Sequence, residues 1–294
     1  MEEKQIKIAL FGNANQVKKG NYIKELLQKL TDKGIIVCIE HQFAQFISKT
    51  LQLNINDFQQ FISYQETQAN LVISVGGDGT LLRTAAAIGN SITPILGINT
   101  GHLGFLADVS PANIDTTIEA FLNGYYTIEE RSLLSVESTQ NLSVYPYALN
   151  EVAILKFDNS ALIQVTAEVD GNLLTSYLAD GLIICTPTGS TGYSLSVNGP
   201  IISPYSKTFC IAPIAPHSLN IRPVIVDDSS VITLKVTSRT QKFLMAIDGR
   251  SQVMDETATI VLKKAPYTIR VMKIKHQHFF DTLRDKMGWG ADQR

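Results

Sequence analysis

The 294-residue chain carries 25 Lys and Arg against 27 Asp and Glu, a formal net charge of −2, and its basic residues are scattered rather than massed. That balance excludes nucleic acid and an anionic membrane surface as main partner and leaves a small molecule as the expected one. The length suffices for one large domain or two ordinary ones, and the presence of both helical and strand patterns favours two.

The chain opens with MEEKQIKIALFGN, whose apolar run is too short for a secretory signal, and no later segment approaches a membrane span. A cytoplasmic protein is the expectation. Short apolar runs then alternate with helical patterns: IKIALF (6–11), a helix near 17–33 with Ile23, Leu26, Leu27 and Leu30 on one face, and IIVCIE (35–40). After a less regular stretch come LVISV (71–75), a helix over about 79–89, PILGIN (94–99) and a helix near 111–123. Strands separated by helices predict parallel βαβ units in a Rossmann-like α/β domain, 1–127, which binds its ligand at the carboxyl ends of its strands. The loops GGDGT and NTGHLGF both fall at such ends.

From residue 128 the rhythm changes to β. IQVTAEVDGNLLTSY and FLMAIDGRSQVM place Asp170-Gly171 and Asp248-Gly249 between alternating segments, and Asp-Gly supplies the positive φ angles of a two-residue hairpin turn. IVLKKAPYTIRVM reads as a third hairpin, so 128–275 is expected to be an antiparallel β-domain. Residues 276–294 hold Phe279, Phe280, Leu283 and Met287 at helical spacing, a short amphipathic helix expected to pack back on the first domain. Cys38, Cys185 and Cys210 are far apart, each inside a strand-like run, which predicts buried, reduced thiols.

The stretch LVISVGGDGTLLRTAA, residues 71–86, poses the chemical question. A glycine-rich turn between strand and helix holds phosphate through backbone N–H groups, yet Asp78 stands at its centre and a carboxylate repels the anion. The P-loop pattern is absent, and Gly77-Asp78-Gly79-Thr80-Leu81-Leu82 lacks the third glycine of a dinucleotide fingerprint. Asp78 is then either a helix cap or an anion, stabilised by the helix end, that accepts a proton from a hydroxyl.

GGDGT after an apolar strand resembles the phosphate-donor loops of three kinase groups: NAD kinases, diacylglycerol and sphingosine-type lipid kinases, and, with Ser for Thr, phosphofructokinases. DGLIICTPTGSTGYSLSVNGPII, residues 180–202, resembles the long signature of NAD kinases, and GINTGHLGFLADV (97–109), ALNEVAI (148–154), PHSLNIRPVIV (216–226), AIDGRSQ (246–252) and DTLRDKMGWG (281–290) agree with it. The hydroxyls of Thr186, Thr188, Ser190, Thr191, Tyr193, Ser194 and Ser196 make a neutral donor-and-acceptor loop suited to adenine and ribose. Resemblance covers nearly the whole chain after residue 70; before it only the βαβ pattern matches.

The resemblance implies phosphorylation of the 2′-hydroxyl of the adenosine ribose of NAD by ATP with Mg²⁺, to give NADP, in a cleft between the two domains. It implies Asp78 as general base. The binding residues it implies are Gly79, Arg83 and Phe105 in the first domain, and Asn150, Glu151, Asp180, Thr188, Thr191, Gly192, Tyr193, Ser194, Leu195, Ser196 and Arg250 in the second. It implies a homodimer or homotetramer, with inorganic polyphosphate open as a second donor. The position of Gly192 is usually alanine in the family, and Leu178 stands where some members carry Lys or Arg, so a charge contact there is lost or supplied elsewhere. Arg83 faces either a ligand phosphate or solvent. His102 orients substrate or caps a turn, and His217 organises its loop. His276 and His278 lack partners at metal spacing, and no protein metal ligand is assigned. The Gly12-Asn13 loop is a candidate edge of the donor pocket. Two other readings remain: a lipid kinase, which would share GGDGT but lack TPTGSTGYSLS, and a non-catalytic NADP sensor, which would lose the base.

Overall fold

Apolar runs and amphipathic stretches become strands and helices in the computed structural model, which describes residues 5–13, 20–101, 104–158, 161–274 and 278–288. The chain divides into two units, residues 1–130 with 269–294, and residues 131–268.

The first unit begins β1 (Lys7–Gly12), α1 (Gly20–Asp32), β2 (Ile36–Glu40), α2 (His41–Lys49), β3 (Gln59–Phe61), β4 (Leu71–Gly76), α3 (Asp78–Ile88) and β5 (Ile95–Asn99). A 3₁₀ turn at Pro111–Asn113, α4 (Ile114–Leu122) and β6 (Tyr126–Arg131) follow. Ile23, Leu26, Leu27 and Leu30 are the buried face of α1.

Next come the strands of the second unit: β7 (Leu134–Ser138), β8 (Tyr147–Ala148), β9 (Glu151–Lys156), β10 (Ile163–Val169), β11 (Asn172–Ala179) and β12 (Gly181–Cys185). A 3₁₀ turn at Thr188–Thr191 leads into the one-turn helix α5 (Tyr193–Ser196). Then follow β13 (Thr208–Ile214), β14 (Val224–Asp227), β15 (Ile232–Thr237), β16 (Lys242–Ile247), β17 (Arg250–Asp255) and β18 (Thr259–Lys264). The chain closes with β19 (Ile269–Ile274) and α6 (Phe279–Met287), both in the first unit.

The first unit is a seven-stranded sheet in the order β3-β2-β1-β4-β5-β19-β6, and the pairs β2–β3, β1–β2, β1–β4, β4–β5 and β5–β19 are parallel. Chain direction across the sheet reverses between β1 and β4, the switch point at whose carboxyl end such sheets take ligands. β4 is buried along its whole length, as a central parallel strand covered on both faces must be.

Two six-stranded antiparallel sheets make the second unit, β11-β10-β15-β18-β7-β8 and β14-β13-β12-β9-β16-β17. Val136, Val165 and Leu234 of one sheet meet Ile154, Ile184 and Phe243 of the other in one core. The opposite side of β12 is also covered: Ile183 and Cys185 pack with Cys210, Ile202 and Val197. The apolar run LIIC is therefore buried on both faces, and the polar segment after it is laid back over the sheet.

Both Asp-Gly turns form, with φ of 52° and 77° at Asp170 and Gly171 and of 45° and 78° at Asp248 and Gly249. The third expected hairpin does not. β18 pairs with β15 and β7, whereas β19 enters the seven-stranded sheet. The connection Ala265-Pro266-Tyr267-Thr268 has no positive-φ residue to reverse the chain, and Val271, Met272 and Lys273 are all buried, as in a strand flanked on both sides. The three cysteines are free and buried. Among the described residues no helix is long and apolar enough to cross a membrane.

Candidate functional site

Asp78 is the first residue of α3, and Gly77 occupies the cap position without any side-chain cap. The Asp78 side chain turns away from its own helix. Its Oδ2 accepts from the N–H of Phe105 at 2.9 Å, and its Oδ1 from Leu106 at 3.1 Å and Ala107 at 2.9 Å. The helix-cap reading of Asp78 is thereby replaced: it holds a neighbouring loop, and the first turn of α3 keeps N–H groups free of side-chain partners. A carboxylate has about four lone-pair directions, so three donors leave one on Oδ2.

The loop is shaped to this carboxylate. A Cβ on Gly104 would lie 1.9 Å from Asp78 Oδ1, which explains the glycine in HLGF. Asn99 Nδ2 donates to the Ala107 carbonyl at 3.1 Å, and the buried pair Lys273–Asp108, at 2.5 Å, ties down the following residue. Burial pushes the Asp108 carboxyl up and the Lys273 ammonium opposes it. The Phe105 ring, buried, packs 6.4 Å from Phe279 with the Lys286 ammonium 4.6 Å above it, so α6 covers this loop and Phe105 presents only its backbone to Asp78.

Arg83 lies one turn along α3, exposed, with Nη2 3.4 Å from Thr80 Oγ1. Arg83, Thr80 and Thr84 line a recess of about 250 Å³ with Gly12, Glu40 and Gln42, at the carboxyl ends of β1 and β2. The sequence candidates Arg83 and Gly12 thus share one recess. Gly79 is exposed beside it. A larger recess of about 720 Å³, along α1 and residues 52–59, contains none of the candidates. His102, His276 and residues 14–19 lie outside the described residues, and His278 is the N-cap of α6, its N–H donating to Asp281.

In the second unit Asn150 immediately precedes β9 and Glu151 begins it, under the segment after β12. Thr186 Oγ1 donates to the Leu149 carbonyl at 2.5 Å and accepts from Gly189 N–H at 3.1 Å, while Thr186 N–H donates to the Asn150 carbonyl at 2.9 Å. A Cβ on Gly189 would stand 2.1 Å from the Asn150 carbonyl oxygen, so only glycine fits. Ser190 fastens the far side through Pro187 and Ile202. Asn150 Oδ1, Glu151 Oε2 and Ser194 Oγ are buried without a partner of normal hydrogen-bond geometry, Ser194 facing the thiols of Cys185 and Cys210. Folded proteins satisfy most of their buried polar atoms, so three unpartnered ones in this one stretch mark a place for a polar ligand.

Burial and the Asp248 charge push the Glu151 carboxyl up to about 7 against the opposing N–H of Tyr193. Thr188 is buried, its hydroxyl 3.5 Å from Arg131 Nη1; Thr191 and Leu195 are half-buried, and Tyr193 and Ser196 face solvent. Asp180, before β12, pairs at 2.6 Å with Lys156. Arg250 Nη2 donates to the Tyr147 carbonyl at 2.8 Å and lies 4.0 Å from Asp248 Oδ2.

Lys156 and Asp248 were not legible as site residues. Lys156 ends an apolar strand like any surface lysine, and Asp248 reads as a turn former. Its carboxylate accepts from the N–H groups of Leu149 at 2.7 Å, Asn150 at 2.8 Å and Glu151 at 3.1 Å.

Two solved structures share this architecture. A yeast NADH kinase complexed with NADH superposes with a TM-score of 0.87 at 23% identity, over 100% of this chain and 90% of that one. An NAD kinase from Archaeoglobus fulgidus in complex with ATP gives 0.71 at 26% identity, over 96% and 98%. The ATP-NAD kinase N-terminal domain matches residues 8–126 and the ATP-NAD kinase C-terminal domain residues 149–274. An NAD kinase of Bacteroides fragilis is 50% identical over 290 residues, 98% of this chain and all of that one, and one of Porphyromonas gingivalis is 45% identical over 294 residues, 98% and 99%. The chain belongs to the ATP-NAD kinase family.

Proposed function

We propose that this enzyme transfers the terminal phosphoryl group of ATP to the 2′-hydroxyl of the adenosine ribose of NAD, giving NADP. The observation that carries the reading is Asp78: a carboxylate held by three backbone N–H groups, with one lone pair left on Oδ2, at the open first turn of a helix. A held carboxylate with one free lone pair suits a general base, which accepts the hydroxyl proton as the phosphorus–oxygen bond forms. The uncapped N–H groups around Gly77 and Gly79, with Arg83, offset phosphate charge.

In the second unit the unpartnered Asn150 amide oxygen and Glu151 carboxylate suit adenosine, which offers amino and hydroxyl donors. Thr188, Thr191, Gly192, Tyr193, Ser194, Leu195, Ser196, Asp180 and Arg250 complete the dinucleotide contacts. Mg²⁺ is expected to be held through the phosphates with at most one or two carboxylates, as this ion usually is at phosphoryl-transfer sites. Bound there, the ion would neutralise charge on the transferring group. The enzyme acts in the cytoplasm as a homodimer or homotetramer, for which exposed Tyr205, Leu219 and Ile225 offer apolar surface.

Purified protein with NAD, ATP and Mg²⁺ is expected to form NADP, read through an NADP-specific dehydrogenase. Asp78→Asn is expected to lower kcat by about 10²- to 10⁴-fold. A variant at near wild-type rate removes the base from the mechanism, and a wild type that forms no NADP removes the reaction and brings back the sensor.

A further inference from the structure

We propose that Asp248 is the positioning residue of the dinucleotide recess, fixing the turn at residues 149–151 so that Asn150 and Glu151 present their side chains to NAD. The proposal rests on the reading of that recess as the NAD site.

A hairpin turn needs no buried charge. Asp170, in the equivalent turn position of the β10–β11 hairpin, is exposed and accepts one N–H, that of Val231, at 2.8 Å. Asn-Gly would build either turn. The Asp248 side chain is only 3% exposed, and burying a carboxylate is unfavourable unless its hydrogen bonds repay it.

Its partners explain the burial. Leu149 and Asn150 lie between β8 and β9, where the two strands leave their N–H groups without ladder partners, and the carboxylate collects both with the N–H of Glu151. Asp248 N–H in turn donates to the Glu151 carbonyl at 3.0 Å, so both peptide groups of Glu151 are tied to one residue. Holding three donors takes two acceptor oxygens, and an amide has one. The Arg250 guanidinium at 4.0 Å is the cation on the remaining side.

The same charge acts on Glu151 directly. The groups facing the Glu151 carboxyl are Asp248, backed by Arg250, on the β16–β17 hairpin, the Cys185 thiol on β12, and the Tyr193 N–H on α5. Burial and Asp248 raise the carboxyl to about 7, and the Tyr193 N–H opposes them. Removing the Asp248 charge therefore makes Glu151 an anion, and an acceptor for ribose hydroxyls, at lower pH.

The test compares wild type, Asp248→Asn, Asp248→Glu, Glu151→Gln and the double variant D248N/E151Q in steady-state kinetics from pH 5.5 to about 9, a range that brackets the Glu151 titration. D248N is expected to raise KM for NAD by about 10- to 100-fold, with KM for ATP near wild type. It should also move the acid limb of kcat/KM for NAD to lower pH. D248E, which keeps the charge and displaces it by one methylene, should raise KM with the limb at its wild-type pH. E151Q should lose the limb, and D248N should shift nothing further in that background.

An unmoved limb in folded D248N, or a wild-type KM for NAD in D248E, overturns the proposal. If D248N does not fold, D248E decides alone. If wild type forms no NADP, the proposed reaction falls separately, and NAD binding by titration calorimetry still judges Asp248: wild-type affinity in D248E overturns its role.

Discussion

Asp78 and Asp248 gather backbone N–H groups in the same pattern, one in each unit. Each Oδ1 takes two donors and each Oδ2 one, from residues 105–107 and 149–151 respectively. The difference lies at the remaining lone pair. Arg250 stands 4.0 Å from Asp248 Oδ2 and the side chain is almost wholly buried, whereas Asp78 is half-buried and among the described residues has no ion-pair partner. A closed cradle can only hold its loop; an open one holds its loop and offers an oxygen to a ligand. The physical device is shared, and exposure decides between positioning and proton transfer. Asp78→Asn should therefore act on kcat, the largest effect expected, and Asp248→Asn on KM.

The first cradle can be broken from behind. Lys273 and Asp108 have side chains 6% and 4% exposed, and Asp108 directly follows the three residues that hold Asp78. Lys273→Met leaves a buried carboxylate without its cation and should lower the unfolding free energy by about 3–5 kcal/mol in urea titrations. Adding Asp108→Asn should return most of that stability, since two neutral groups avoid the charge penalty. A double variant that regains stability but not kcat would show that the pair places the Asp78 loop. Full recovery of both would leave the pair a purely structural element.

The second cradle predicts an effect of opposite sign. Glu151 carries a carboxyl raised from 4.5 to about 7 in the folded chain, so folding takes up a proton between those values. Its favourable contribution is complete below the unfolded value, declines as pH rises, and is lost above about 7. Glu151→Gln removes that decline. At pH 8 it should be more stable than wild type by up to about 3 kcal/mol, with the gain vanishing toward pH 4.5, while NAD binding weakens. A variant no more stable at pH 8 than at pH 5, relative to wild type, would mean that Glu151 is not strained by burial and by Asp248.

What was legible in the sequence follows the same division. Asp78 and the loop around it announce themselves because glycines cluster where backbone approaches a ligand, and the parallel strands because they are continuously apolar. The two Asp-Gly hairpins were legible from turn chemistry alone. The return of β19 to the first sheet was not, because a pattern of apolar alternation says that a strand exists and not which neighbour it pairs with. Asp248 looked like a turn residue, since nothing in one sequence distinguishes an aspartate facing solvent from one folded inward onto a segment nearly a hundred positions earlier. Lys156 was missed for a related reason: its partner Asp180 is set by the β9–β12 pairing, not by sequence spacing.

The smallest effect tests how tightly the second cradle's occupants are set. Gly192 stands where the family resemblance leads one to expect alanine. A Cβ there would lie 2.9 Å from Glu151 Oε2, 3.2 Å from Asn150 Nδ2 and 3.2 Å from the Gly189 carbonyl oxygen. The two nearest atoms are ends of side chains and can yield by a few tenths of an ångström, unlike the Asn150 backbone facing Gly189. Gly192→Ala should accordingly change stability by less than about 1 kcal/mol, and raise or lower KM for NAD only a few-fold as Glu151 and Asn150 shift. Gly189→Ala, driven against backbone, should cost about 1–3 kcal/mol or more. If G192A proved as damaging as G189A, Glu151 and Asn150 would be fixed as rigidly as the backbone that carries them. The recess would then be preformed down to its side chains rather than only in the turn that Asp248 holds.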